Sequence, residues 1–181
     1  MKIIVSGIFA LGVIAILAIG GLNFLSSAHA SPDAGEFLRL HIRANSDSVE
    51  DQRVKFAVQQ KVINEFTPIF ANVTSREQAM NVLSNNLARF ESIANQTLRQ
   101  HGFTYSARVF LRAEEFPARS YHGFNLPAGT YDALIIELGA AAGANWFCVV
   151  YPPLCFLDNN IGGDRGVVYR SRLNEIIRRF F

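Results

Sequence analysis

Charge of either sign is scarce in this chain. Lysine, arginine, aspartate and glutamate together make up 18% of 181 residues, and the net charge is +2. So even a balance lays down no broad basic footprint and argues against nucleic acid as a partner. Cysteine is rarer still, with two residues, Cys148 and Cys155. Their spacing is not C-x-x-C, which speaks against a thioredoxin-like redox role. No H-E-x-x-H, no G-x-S-x-G and no paired-histidine spacing occurs, so no metal or cofactor is expected. There is no internal repeat. Half of the residues are hydrophobic, too many for a disordered chain, and 181 residues suit one domain.

The longest apolar stretch comes first. Lys2 is followed by an apolar run from Ile3 to Leu22, then by Ser26, Ser27, Ala28, His29 and Ala30. Ala28-x-Ala30 is the small-residue pattern that signal peptidase accepts, so residues 1–30 read as a secretory signal cleaved after Ala30. The competing reading is an uncleaved anchor through residues 3–25, since about 20 apolar residues span a bilayer. Either way, residues 31–181 form the working domain across the membrane.

Within that domain Leu38, Leu40 and Ile42 alternate with Arg39, His41 and Arg43, the pattern of a strand with one buried face. Asp47 or Ser48 is a fitting N-cap for a helix over about 49–66, with Val54, Val58, Val62 and Phe66 on one stripe and Thr67-Pro68 as its interruption. A capping box at Thr74/Glu77 or Ser75/Gln78 opens a second helix, striped by Leu83, Leu87, Phe90, Ala94 and Leu98 to about residue 100. Strands are expected over 103–112, 131–138 and 146–151, with a turn at 126–129. A polar, Gly-rich loop is expected at 158–166 and a short amphipathic helix over 173–180. This order predicts an α+β domain: an antiparallel or mixed sheet packed with two main helices.

Two stretches are specific. One is LRLHIRANSDS from Leu38 to Ser48, followed by Asp51, Gln52 and Lys55; the other is NWFCVVYPPLCF from Asn145 to Phe156. Between them lie Phe116-Pro117, Tyr121-His122-Gly123, Pro127-Ala128-Gly129 and Tyr131. Together they resemble the stage II sporulation protein R family of endospore-forming bacteria. The resemblance implies a protein made in the forespore and exported into the space between the forespore and mother-cell membranes. There it would activate a membrane-embedded aspartic protease that processes a precursor sigma factor. It would be a signal, not an enzyme.

The residues themselves allow more than one role. An even cysteine count in an exported chain, with Pro152-Pro153 between the two, points to a Cys148–Cys155 disulfide; two separate thiols are the alternative. Trp146, Phe147, Tyr151, Pro152, Pro153 and Phe156 either fill the core or present aromatic anchors to a partner. Asn45, Ser46 and Asp47 either build the turn or touch the receptor. His41, Asp47 and His122, or Cys148 with His122, have the residue types of an extracytoplasmic hydrolase acting on peptides or cell wall, the competing function. A structural envelope protein is a third reading. His41 is expected to face solvent or to donate one hydrogen bond. Arg170, Arg172, Arg178 and Arg179 beside Leu173, Ile176, Ile177 and Phe180 suit contact with an anionic membrane surface, or a helix packed on the domain.

Overall fold

The structure, a computed structural model, describes residues 34–121 and 124–156. The signal segment, His122, the loop at 158–166 and the C-terminal helix lie outside the described residues, and with them the four arginines of the tail.

Among the described residues six strands and three helices follow one another: β1 (Leu38–Arg43), α1 (Val49–Phe70), α2 (Arg76–Asn85), α3 (Leu87–Gln100), β2 (Ala107–Phe116), β3 (Arg119–Tyr121), β4 (Phe124–Leu126), β5 (Gly129–Leu138) and β6 (Asn145–Tyr151). The main sheet runs β2-β5-β1-β6, and β3 and β4 form a separate hairpin. β1 pairs parallel with β5 and antiparallel with β6, while β2 pairs antiparallel with β5. The sheet is therefore mixed, and the domain is α+β.

Leu38, Leu40 and Ile42 of β1 join Leu134, Ile136 and Leu138 of β5, Ala107 of β2 and the apolar stripes of the helices in one core. Phe66 of α1 stacks on Phe90 of α3 with ring centroids 3.7 Å apart. A smaller cluster on the opposite sheet face joins Phe37, Phe116, Leu126, Tyr131, Val149 and Leu154. β1 is thus buried on both faces, not on one, because two neighbours flank it and this second cluster covers its other side.

Several local expectations hold. Ser48 caps α1, its hydroxyl accepting from the Asp51 N–H at 3.1 Å. Ser75 caps α2 and accepts from the Gln78 N–H, and Gln78 reaches back to the Thr74 N–H at 2.9 Å. Others are corrected. α1 does not stop at Thr67-Pro68 but runs to Phe70. Asn64 and Pro68 are exposed, so the Asn64 carbonyl that proline leaves without a helical donor can bond water, while Phe70 gains a buried seat. The second helix is broken at Asn86, whose side chain donates to the Val82 carbonyl at 2.8 Å, giving three helices instead of two. β2 begins four residues late and extends to Phe116. Gly102 turns at φ +81°, and Phe103 and Tyr105 pack on the helices before the strand starts.

Candidate functional site

At one end of the main sheet, β1 and β5 finish while β2 and β6 begin. The turn after β1 is fastened there by its side chains. Asp51 accepts from Asn45 Nδ2 at 2.8 Å, from the Ser46 hydroxyl at 2.5 Å and from the Tyr105 hydroxyl at 2.5 Å. Burial alone would raise the Asp51 carboxyl; the hydrogen bonds from Ser46, Tyr105 and Asn45 outweigh it and hold the group below its ordinary value. Burial and the same carboxylate push the Tyr105 hydroxyl well above its usual range. Asn45 Oδ1 also takes the Ala140 N–H, and Asp47 Oδ1 takes the Ala144 N–H at 2.6 Å. The loop lies so close that a Cβ on Gly139 would overlap the Asn45 side chain, and one on Gly143 the Ser46 backbone. Asn45, Ser46 and Asp47 therefore join β1, α1 and the β5–β6 loop into one rigid corner.

On the sheet face away from the helices, period-two alternation brings charged groups together. His41 Nδ1 lies 2.7 Å from Glu114 Oε1, and Arg43 pairs with the same oxygen and, at 3.1 Å, with Glu137. Arg108 and Arg112 reach Glu137 from β2 at 3.0 and 3.4 Å. Burial lowers the His41 pKa, against the opposing pull of Asn145 and Glu114. The neutral ring donates through Nδ1 to Glu114 and accepts at Nε2 from Arg43 Nε at 3.4 Å. Half-buried Phe110 and Phe147 border this network, with the Arg112 guanidinium over Phe110 and that of Arg119 over Phe147. His41 is thus buried, not solvent-facing, and the carboxylate to which it donates, Glu114, lies 73 positions away in the sequence.

Deeper on this face Arg39 is wholly buried. Its guanidinium sits 4.3 Å from the Phe116 ring centre and 5.0 Å from that of Tyr131, and donates to the Tyr121 hydroxyl at 2.8 Å. Burial lowers its pKa, partly offset by Tyr121. Among the described residues no carboxylate pairs with it, and Nε and Nη1 have no hydrogen bond.

The aromatic segment divides. Trp146 and Phe147 are half-buried on opposite faces of β6, whereas Tyr151, Pro152 and Pro153 are buried. Phe156 closes the 3₁₀ turn Leu154–Phe156. Cys148 and Cys155 form a disulfide, with Cα atoms 5.7 Å apart. A bonded Cys148 offers no thiolate, so the Cys148–His122 arrangement loses its nucleophile. His41 and Asp47 belong to separate networks, bonded to Glu114 and to Ala144 respectively. Among the described residues no group of His, Cys, Asp and Glu can hold a metal ion, and no helix is long and apolar enough to cross a membrane.

Sequence reading missed Arg39, Glu114 and Glu137 as partners. The signal lay in β2, where Arg108, Arg112 and Glu114 recur at even positions, but the strand was expected to end at residue 112.

A family model described as Stage II sporulation protein R matches residues 34–161. The Stage II sporulation protein R of Bacillus subtilis (strain 168) is 41% identical over 125 residues, which cover 69% of this chain and 56% of that relative. The chain thus spans little more than half the length of the curated relative it matches. No solved structure matches. The family match takes in both distinctive runs, the rigid corner and the whole charged sheet face, and on it the chain belongs to the stage II sporulation protein R family.

Proposed function

We propose that the chain is an exported signal that activates a membrane-embedded aspartic protease of the sporulation pathway, leading to processing of a precursor sigma factor. The observation that carries this reading is the family match over residues 34–161. The Cys148–Cys155 disulfide fits a working place outside the cytosol, the space between forespore and mother-cell membranes. The chain acts there either after cleavage at Ala30 or while held by residues 3–25, with the basic tail either against an anionic membrane surface or packed on the domain.

A ligand that switches a receptor must bind its active state more tightly than its inactive one. Moving a receptor from 1:99 to 99:1 takes about 5.5 kcal/mol of differential affinity. A pre-organised surface delivers such a difference best, because little ordering is left for the moment of binding. The end of the sheet is such a surface. Exposed Asp47 and Asn145 sit beside half-buried Trp146 and Phe147, with Arg43 and Arg108 already fixed by carboxylates. Aromatic and arginine side chains are the commonest anchors of protein interfaces. In this reading Asn45, Ser46, Tyr151, Pro152 and Pro153 hold the contact surface in shape.

The test is reconstitution. The protease and the sigma precursor are placed in vesicles and the purified chain is added from outside. Cleavage that requires all three components supports the proposal. No stimulation by folded chain, or cleavage of the precursor by the chain without the protease, overturns it.

A further inference from the structure

β2 is an edge strand of the main sheet. At Ala107 both backbone groups point away from β5: the Asn95 side chain takes the N–H at 2.8 Å and donates to the carbonyl at 3.4 Å. Glu91 takes the Val109 N–H at 3.3 Å. α3 thus stands in for a neighbouring strand as far as Val109. Backbone groups alternate with a period of two, so those of Leu111, Ala113 and Glu115 point to the same outer side. Among the described residues no backbone or side-chain group pairs with them there.

An open edge is a template for another strand, and proteins usually blunt it with charge. Here the charges attract their own copy. The segment Leu111, Arg112, Ala113, Glu114, Glu115 is self-complementary when run antiparallel to itself with Ala113 on a two-fold axis. Ala113 then faces its copy, Leu111 faces Glu115, and Arg112 faces Glu114 twice by symmetry, in the close positions between ladder bonds. Arg112 has the reach, with its side chain 46% exposed. Glu114 is already engaged: its side chain is 13% exposed, Oε1 pairs with His41 and Arg43, and the buried Oε2 accepts no hydrogen bond and lies 3.6 Å from Arg112 of its own chain, the contact that the copy's Arg112 would replace. The α3-capped stretch of one copy falls opposite residues 117–119 of the other, past the end of β2, so the caps do not compete for the ladder.

We propose that two copies of this chain join through the β2 edge at residues 111–115, continuing the sheet across a two-fold axis and exchanging Arg112–Glu114 ion pairs. The partner at this edge is a second copy, so the surface is separate from the receptor contact at the end of the sheet.

Site-specific cross-linking of the full-length chain in detergent micelles tests this. On the axis the two Ala113 Cα atoms stand about 5.5 Å apart, a distance a disulfide spans. Arg108, on the same strand and exposed, would be about 33 Å from its copy at about 3.3 Å per residue. Under mild oxidation Ala113→Cys is expected to give covalent dimer at least tenfold faster than Arg108→Cys. Adding Arg112→Gln to Ala113→Cys is expected to slow the reaction at least threefold. Equal rates at the two positions overturn the proposal, as does an Ala113→Cys chain that stays monomeric because another segment of the same chain, or water, occupies the edge. A second measurement needs no substitution: the amides of Leu111, Ala113 and Glu115 should gain hydrogen-exchange protection as chain concentration rises, and concentration-independent exchange refutes the dimer.

Discussion

Truncating Asp51 to alanine should unfasten the corner on which the sheet end depends. The carboxylate takes side-chain hydrogen bonds from Asn45, Ser46 and Tyr105 in a residue only 5% exposed. A hydrogen bond to a charged group contributes roughly 1.5–3 kcal/mol, and a buried donor left without a partner costs roughly 1–3 kcal/mol. The three do not add fully, because the corner lies near the surface and water can reach Asn45 and Ser46 once the carboxylate is gone; the Tyr105 hydroxyl is less easily rehydrated. The expected loss for Asp51→Ala is therefore about 3 kcal/mol, a large share of the 5–15 kcal/mol typical of a whole domain. With a urea dependence of about 1.5 kcal/mol per molar, the midpoint falls by about 2 M. Trp146 is the single tryptophan and sits at this end of the sheet, so its fluorescence reports the transition. The pH dependence has a definite sign. The folded-state pKa of Asp51 lies below its ordinary 3.8, so its contribution is complete above about pH 4 and disappears as pH falls through the folded value. Asp51→Asn should lack that acid-dependent component. A loss below about 1 kcal/mol for Asp51→Ala would refute the idea that the carboxylate organises the corner.

His41 is held neutral by burial, with its pKa below the ordinary 6.5. The unfolded chain therefore binds the proton more readily, and stability should fall as pH drops below about 6.5; urea midpoints of His41→Gln between pH 7.5 and 5 should show less of that decline. The disulfide closes a short loop with a sequence separation of 7. Cys148→Ala with Cys155→Ala should lower stability by about 2.5 kcal/mol on the loop-entropy relation, and reductant should then no longer shift the urea midpoint. Among the described residues Arg39 is a buried charge with one hydrogen bond and no carboxylate. Arg39→Met should leave stability unchanged or raise it, whereas Tyr121→Phe, which strands the charge, should cost about 1.5–3 kcal/mol; equal losses from the two would show that the charge itself stabilises the fold.

Where the determinants are local, the sequence was readable. Ser48 and Ser75 cap helices because their side chains reach an N–H three residues on, and that spacing is visible in the chain itself. β5 reads as a central strand from its apolar run, and it lies between β1 and β2. What failed depended on distance. His41 and Arg43 look like the wet face of a half-exposed strand until Glu114 and Glu137 arrive from strands more than 70 positions away, and Arg39 does so until Tyr121 arrives from 82 positions away. Pro68 reads as a helix stop because the pull of a buried Phe70 cannot be seen from propensity. The Tyr105–Asp51 bond, which fixes the corner, joins residues 54 positions apart.

The most direct test of contact-driven activation compares surface variants in the reconstituted cleavage assay. Phe147→Ser and Arg108→Glu alter half-buried and exposed positions at the sheet end while leaving the Asp51 corner intact. With folding verified by Trp146 fluorescence, each variant should need at least tenfold more chain to reach half-maximal precursor cleavage. Full stimulation by both variants at the unaltered concentration would contradict the account.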